Sequence, residues 1–256
     1  MLITRRVAFL SAVMLMLAAC SSAGSSSSNT SKTSSTSSAH QHSAAPSAPS
    51  QLRVRADGTL EPSQIDLSGV DGVSADERAN AESLLRRTIL TLPQWTDVNK
   101  AMADGFQSIG DGLTGEEHFL HWDWIDDQVM FDPAHPEALV YKVGPNGSRT
   151  LEAAMFILPK QYTLDNVPDV GGSLVQYHVH DDLCFTAPPA PKVRGITSVG
   201  GACRVPLVKF NPNVMIHVWI RPNPCGPFAA LQGIGAGQIK AGATRACDHK
   251  HGALTL

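Results

Sequence analysis

The segment Gln176-Tyr177-His178-Val179-His180 places two histidines two residues apart. On a β-strand, residues at that spacing project to the same face. His178 and His180 would stand together there, with Tyr177 and Val179 on the reverse. A later segment, Met215-Ile216-His217-Val218-Trp219, supplies a third imidazole. Its alternation puts His217 with Met215 and Trp219, opposite Ile216, Val218 and Ile220. If the two strands are neighbours, three neutral imidazoles converge. That donor set suits Zn²⁺, Cu²⁺ or Fe²⁺, with a fourth position left to water or a carboxylate.

Several side chains could complete the set. Glu116, Glu117, His118 and His121 lie close together after Gly115. We expect a single transition metal held by His178, His180, His217 and His118. Asp181 and Asp182 follow the histidine pair directly and could instead brace an imidazole from behind. His249 and His251 sit in a tail that a disulfide at Cys247 would pin. The competing expectation is a polar core in which the same histidines bond to backbone and hold no metal.

Other chemistries lack their motifs. There is no Gly-x-Ser-x-Gly nucleophile elbow and no Gly-x-x-x-x-Gly-Lys-Ser/Thr phosphate loop. Gly233 to Gly237 is glycine-rich but does not have the spacing or the strand-then-helix setting of a dinucleotide site, and reads as a loop. Asp123 to Asp127 does not fit an EF-hand. Asp132 and Asp169, beside prolines, read as turn residues. The net charge of −3 falls to −5 if Arg5 and Arg6 are removed with a leader, which excludes a strongly basic nucleic-acid binder.

The elements that must position these residues read as α+β. Ser74 is an N-cap with Asp76 and Glu77 in the first turn, and Glu77 completes a capping box. Leu84, Leu85, Thr88, Ile89 and Leu92 follow at helical spacing until Pro93. A shorter helix is expected from Asp97 to Asp104, ending near Gly105. Gly110, Gly112 and Gly115 then mark loops. Leu139–Val143 and Leu151–Leu158, joined by Pro145-Asn146-Gly147-Ser148, signal a β-hairpin. Leu174–His180 and Val214–Ile220 are further strands. The Gly- and Pro-rich C-terminal third reads as loop. The expected fold is N-terminal helices followed by an antiparallel sheet or small barrel-like domain.

The chain begins with a different character. Arg5 and Arg6 precede a largely apolar stretch, Val7 to Ala19, too short to span a bilayer. It ends in Leu17-Ala18-Ala19-Cys20, which resembles the lipobox of bacterial lipoproteins. The resemblance implies cleavage before Cys20 and lipid attachment to its thiol. Ser21 to Ser50 holds 14 serines and no aromatic residue, too little apolar surface to offset ordering entropy. It reads as a tether, with His40 and His42 as solvated linker residues. The expected organisation is a signal peptide at 1–19, Cys20 and a flexible tether at 20–51, and one globular domain at 52–256. No run of 18 or more apolar residues occurs in that domain.

Exported cysteines are read as disulfides. Cys184, Cys203, Cys225 and Cys247 allow three pairings. The local one would close two loops of about 20 residues, each contributing roughly 3 kcal/mol in the chain-entropy model.

Two resemblances accompany these readings. The His-x-His strand is similar to that of the cupin barrel, but Asp181-Asp182-Leu183-Cys184-Phe185 does not supply the glutamate that pattern requires, so no cupin activity carries over. From Gly105 to His251 the chain resembles a family of exported actinobacterial, mycobacterial-type lipoproteins. The matching stretches are Gly105-Phe106-Gln107-Ser108-Ile109-Gly110-Asp111-Gly112, Pro136-Glu137-Ala138-Leu139-Val140-Tyr141, His178-Val179-His180-Asp181, and His217-Val218-Trp219-Ile220 with Pro224-Cys225-Gly226-Pro227-Phe228. The resemblance implies a compartment and no assigned activity. The expectation is therefore an extracytoplasmic binding domain, lipid-anchored to the cell membrane, possessing no nucleic-acid partner. The alternatives are a metal-dependent hydrolase or oxidoreductase of the envelope and a metal-free interaction module.

Overall fold

The computed structural model describes residues 52–210, 213–231 and 236–244. The leader, Cys20, the tether with His40 and His42, Gly233, Cys247, His249 and His251 lie outside the described residues. So do the readings made of them.

Helix α1 spans Ala75–Thr91. Ser74 caps it: its side chain accepts the Glu77 N–H, and the Glu77 carboxylate accepts the Ser74 N–H at 2.6 Å. This reciprocal pair satisfies two of the end's orphan donors. Ala81, Leu84, Leu85, Thr88 and Ile89 form its buried stripe. Each buried Leu or Ile contributes about 1.5–3 kcal/mol by leaving water. At Leu92-Pro93 the helix passes into a 3-10 turn, Leu92–Trp95. Helix α2, Val98–Ala103, starts at its Asp97 cap. The Tyr141 hydroxyl donates to the Trp95 carbonyl at 2.6 Å and ties this turn to the sheet.

The chain is α+β, with two antiparallel sheets. The larger contains β1 (Gln107–Ser108), β2 (Glu116–Leu120), β3 (Ala138–Val143), β4 (Arg149–Ile157), β5 (His178–Val179), β9 (Met215–Trp219) and β10 (Gln238–Ile239). Its order is β1-β2-β3-β4-β9-β5-β10. The smaller contains β6 (Leu183–Phe185), β7 (Val193–Ile196) and β8 (Val208–Lys209), in the order β7-β6-β8. The β3–β4 hairpin turns where expected, and the Ser148 carbonyl accepts the Gly144 N–H at 2.8 Å.

Two expectations need correction, and one strand was not anticipated. The C-terminal third is not simply loop: β6, β7, β8 and β10 are short strands there. At two to four residues each, they are too brief to show a period, and Gly195 interrupts β7. The strand expected from Leu174 contracts to His178–Val179, because Gly172–Leu174 is a 3-10 turn. The stretch after Gly115 becomes β2, whose polar Glu116-Glu117-His118 start hid it.

Each face of the larger sheet meets a different partner. Phe119, Leu139, Tyr141, Phe156, Ile216 and Val218 join the stripe of α1 in one core. Leu120, Val140, Ala153, Met155, Met215 and Trp219 face the other way, toward Phe185 of the smaller sheet. The Cys184–Cys203 disulfide fastens β6 to the loop before β8. It closes a local loop of the expected length. Cys225 is also disulfide-bonded. No helix among the described residues is long and apolar enough to cross a membrane.

Candidate functional site

Strands β5 and β9 are neighbours, paired antiparallel with His178 opposite Met215. His217 lies two residues on and shares the face of Met215 and Trp219. The rings of His178 and His217 stack, with centroids 4.9 Å apart and planes 14° from parallel. His180 follows β5, its ring edge-on to His178 at 5.4 Å. Gly237 holds the backbone close here: at φ +70°, a Cβ on it would stand 2.6 Å from the Val179 carbonyl and 3.0 Å from the His180 ring. Any side chain there would push β5 and His180 aside.

His118 arrives from β2. In sheet order β3 and β4 separate β2 from β9, so three inter-strand steps would span about 14 Å on a flat sheet. Yet His118 Nε2 lies 3.3 Å from His217 Nε2. The sheet must therefore be strongly curved, with the imidazoles on its concave side. Val140 and Ala153, in register between His118 and Trp219, are small enough to leave the rings room. The structure thus brings His118, His178, His180 and His217 together.

Asp111 braces His118. Its two carboxylate oxygens accept the His118 backbone N–H at 2.9 Å and the ring Nδ1–H at 2.6 Å. Gly110, at φ +74°, allows the reversal that folds Asp111 back over β2. The bond fixes Nδ1 as the donor and turns Nε2 toward His217, the arrangement by which a carboxylate orients a metal-binding imidazole. Sequence reading looked to Asp181 and Asp182 for this role. Asp111, seven residues before its partner, was missed; its only signal was a lone acid between two glycines.

Electrostatics separate the two facing imidazoles. Burial alone would lower the pKa of His118, but the Asp111 charge and hydrogen bond outweigh it and raise it above the usual value. His217 is lowered well below the usual value by burial and by the nearby His178, His118 and His180. It is therefore neutral, with one ring proton. Its Nδ1 is buried with no hydrogen-bond partner among the described residues. A proton on Nε2 leaves Nδ1 a bare acceptor, and a proton on Nδ1 leaves a bare donor. An unsatisfied buried group of either kind costs about 1–3 kcal/mol.

The other nearby candidates are occupied elsewhere. The Glu117 carboxylate accepts from Arg149 Nε and Nη2, each at 2.7 Å, and from the Ser108 hydroxyl. The His121 ring stacks on Trp124 at 3.7 Å, and Trp124 stacks in turn on His135. Among the described residues, no group of three or more His, Cys, Asp or Glu side chains is placed, as it stands, to hold a metal ion.

A cavity of about 790 Å³ lies over the concave face. His118 and His180 line it, whereas His178 and His217 lie fully buried beneath. Its walls are mostly apolar, from Leu120, Met155 and Trp219 of the larger sheet, with Ile109 just after β1, to Phe185 and Val193 of the smaller.

No family model, no curated protein and no solved structure matches the chain.

Proposed function

We propose that this is an envelope protein, lipid-anchored through Cys20, whose folded domain binds one transition-metal ion through His118, His178, His180 and His217. The observation that carries the metal reading is the 3.3 Å between His118 Nε2 and His217 Nε2, with Asp111 behind His118. Two nitrogens at about 2.0–2.1 Å from one tetrahedral ion stand about 3.3–3.4 Å apart. His178 and His180 would complete the set by turning about their side-chain torsions.

Copper suits this set best among Zn, Cu and Fe. Met155 is in register opposite His217, and Met215 opposite His178, on the same concave face. Thioethers are soft donors that favour Cu(I), while imidazoles serve Cu(II).

The test is a metal titration of the full chain carrying Cys20→Ala, read by elemental analysis with Cu, Zn, Fe and Mn. About one ion per chain, lost in both His118→Ala and His217→Ala while the fold is kept, is expected. Undiminished binding in both variants would overturn the assignment. A second reading, a metal-dependent enzyme, draws support from the cavity, which gives His118 and His180 an open side where substrate or water could reach the ion. The lipid anchor is tested separately by labelling with a radioactive fatty acid, which Cys20→Ala should abolish.

A further inference from the structure

The cavity over the histidines is far larger than one ion requires. Its volume of about 790 Å³ lies within the range of roughly 300–1,000 Å³ found for small-molecule pockets. We propose that it binds a neutral, largely apolar small molecule, laid against Leu120, Met155, Phe185 and Trp219 with one end over His118 and His180.

Three features carry this assignment. Both sheets contribute apolar side chains to its walls, which suits a ligand with a large apolar surface. The mouth is apolar as well: Leu113 and Ile196 line the cavity yet are 90% and 65% exposed. A large aliphatic side chain at the rim of a pocket is covered when an apolar ligand enters, and each gains by that burial. The charges on the walls select the class. Of the acids on the walls, Asp111 is paired with His118 and Glu152 lies 3.9 Å from Arg221, which leaves Glu116 in register with Lys142. That near-balance offers no free counter-charge to a charged head group of either sign, and burying such a charge among apolar walls is costly, so a neutral molecule is favoured.

The assignment does not depend on the metal, so it is tested on chelator-treated full chain carrying Cys20→Ala, which has no acyl group of its own to compete. Two fluorescent probes share one ring system: neutral N-phenyl-1-naphthylamine and anionic 1-anilinonaphthalene-8-sulfonate. The neutral probe should bind at about one equivalent, and the sulfonate at least about tenfold more weakly. Met155→Trp, which fills the cavity, should abolish binding of the neutral probe. Glu116→Lys, at the mouth, should strengthen sulfonate binding about tenfold and leave the neutral probe unchanged; this variant keeps the test decisive if the tryptophan disturbs the fold. Equal binding of both probes would overturn the neutral class. Failure of the neutral probe to bind, or binding that ignores both substitutions in a folded protein, would overturn the site itself. Loss of metal binding would alter none of these readings.

Discussion

Strand β9 presents two unlike surfaces within five residues. Ile216 and Val218 pack into the core beneath α1, where nearly every neighbour is aliphatic or aromatic. Met215, His217 and Trp219 point the other way, among imidazoles and under a cavity. The strand, the hydrogen-bond ladder and the degree of burial are the same; both sets are almost fully inaccessible. What differs is completion. The helix-side core is closed, so its side chains contribute to stability alone. The concave side leaves His217 Nδ1 without a partner among the described residues and a large space unfilled, features that cost stability.

The largest expected effect concerns a buried acid outside the imidazole cluster. Glu137 is buried and accepts the Ile157 N–H at 3.0 Å. Burial raises its pKa to about 8. The folded protein then holds a proton that the unfolded chain releases above its ordinary pKa of about 4.5. Stability is fully present below that pH and falls as pH rises toward 8, by about 4–5 kcal/mol in all. Glu137→Gln keeps the acceptor and should remove this slope, as urea unfolding from pH 4 to 9 would read. An unchanged slope would show that Glu137 is ionised in the fold.

Next comes the closed core. Phe156→Ala should cost about 3–5 kcal/mol in urea unfolding, because packed neighbours cannot fill the gap. Metal content per folded molecule should not change. Were the same variant to lose its metal, the two faces would not be separable as described.

The bond between Cys184 and Cys203 is expected to contribute about 3 kcal/mol through its loop of 19 residues. A Cys184→Ala, Cys203→Ala double variant should lose that much unfolding free energy in urea. It should also loosen the smaller sheet over the cavity, seen as faster amide exchange in β6 and β7 than in α1. Equal exchange changes in both places would remove the distinction between a braced lid and a self-sufficient core.

The smallest effect sharpens the concave side. Asp111→Asn keeps a hydrogen-bonding group of the same shape but removes the charge behind His118. Metal affinity should fall about 10–100-fold with little change in fold stability at neutral pH. An unchanged affinity would make Asp111 structural only.

Face alternation was legible in the sequence because a strand's side-chain period is fixed by its pleat. That is why His217 could be placed opposite Ile216 and Val218, and His178 beside it if the strands paired. The caps of α1 and the β3–β4 turn were legible for similar reasons: both depend on local chemistry at Ser74, Glu77, Asn146 and Gly147. His118 was expected as the fourth ligand, though only from its place in the cluster after Gly115. Its approach to His217 depends on curvature accumulated across four strands, which no local pattern records. Asp111 was missed because its partner is reached through a chain reversal at Gly110. The cavity was invisible, since it lies between two sheets, one of them built from strands too short to show periodicity.

The most direct test is copper binding by the full chain carrying Cys20→Ala, compared with the same chain carrying His217→Ala. The account predicts about one tightly held copper ion in the first and none in the second, with both folded by circular dichroism. Equal copper content in the two proteins, or none in either after exposure to Cu(I) and Cu(II), would contradict it.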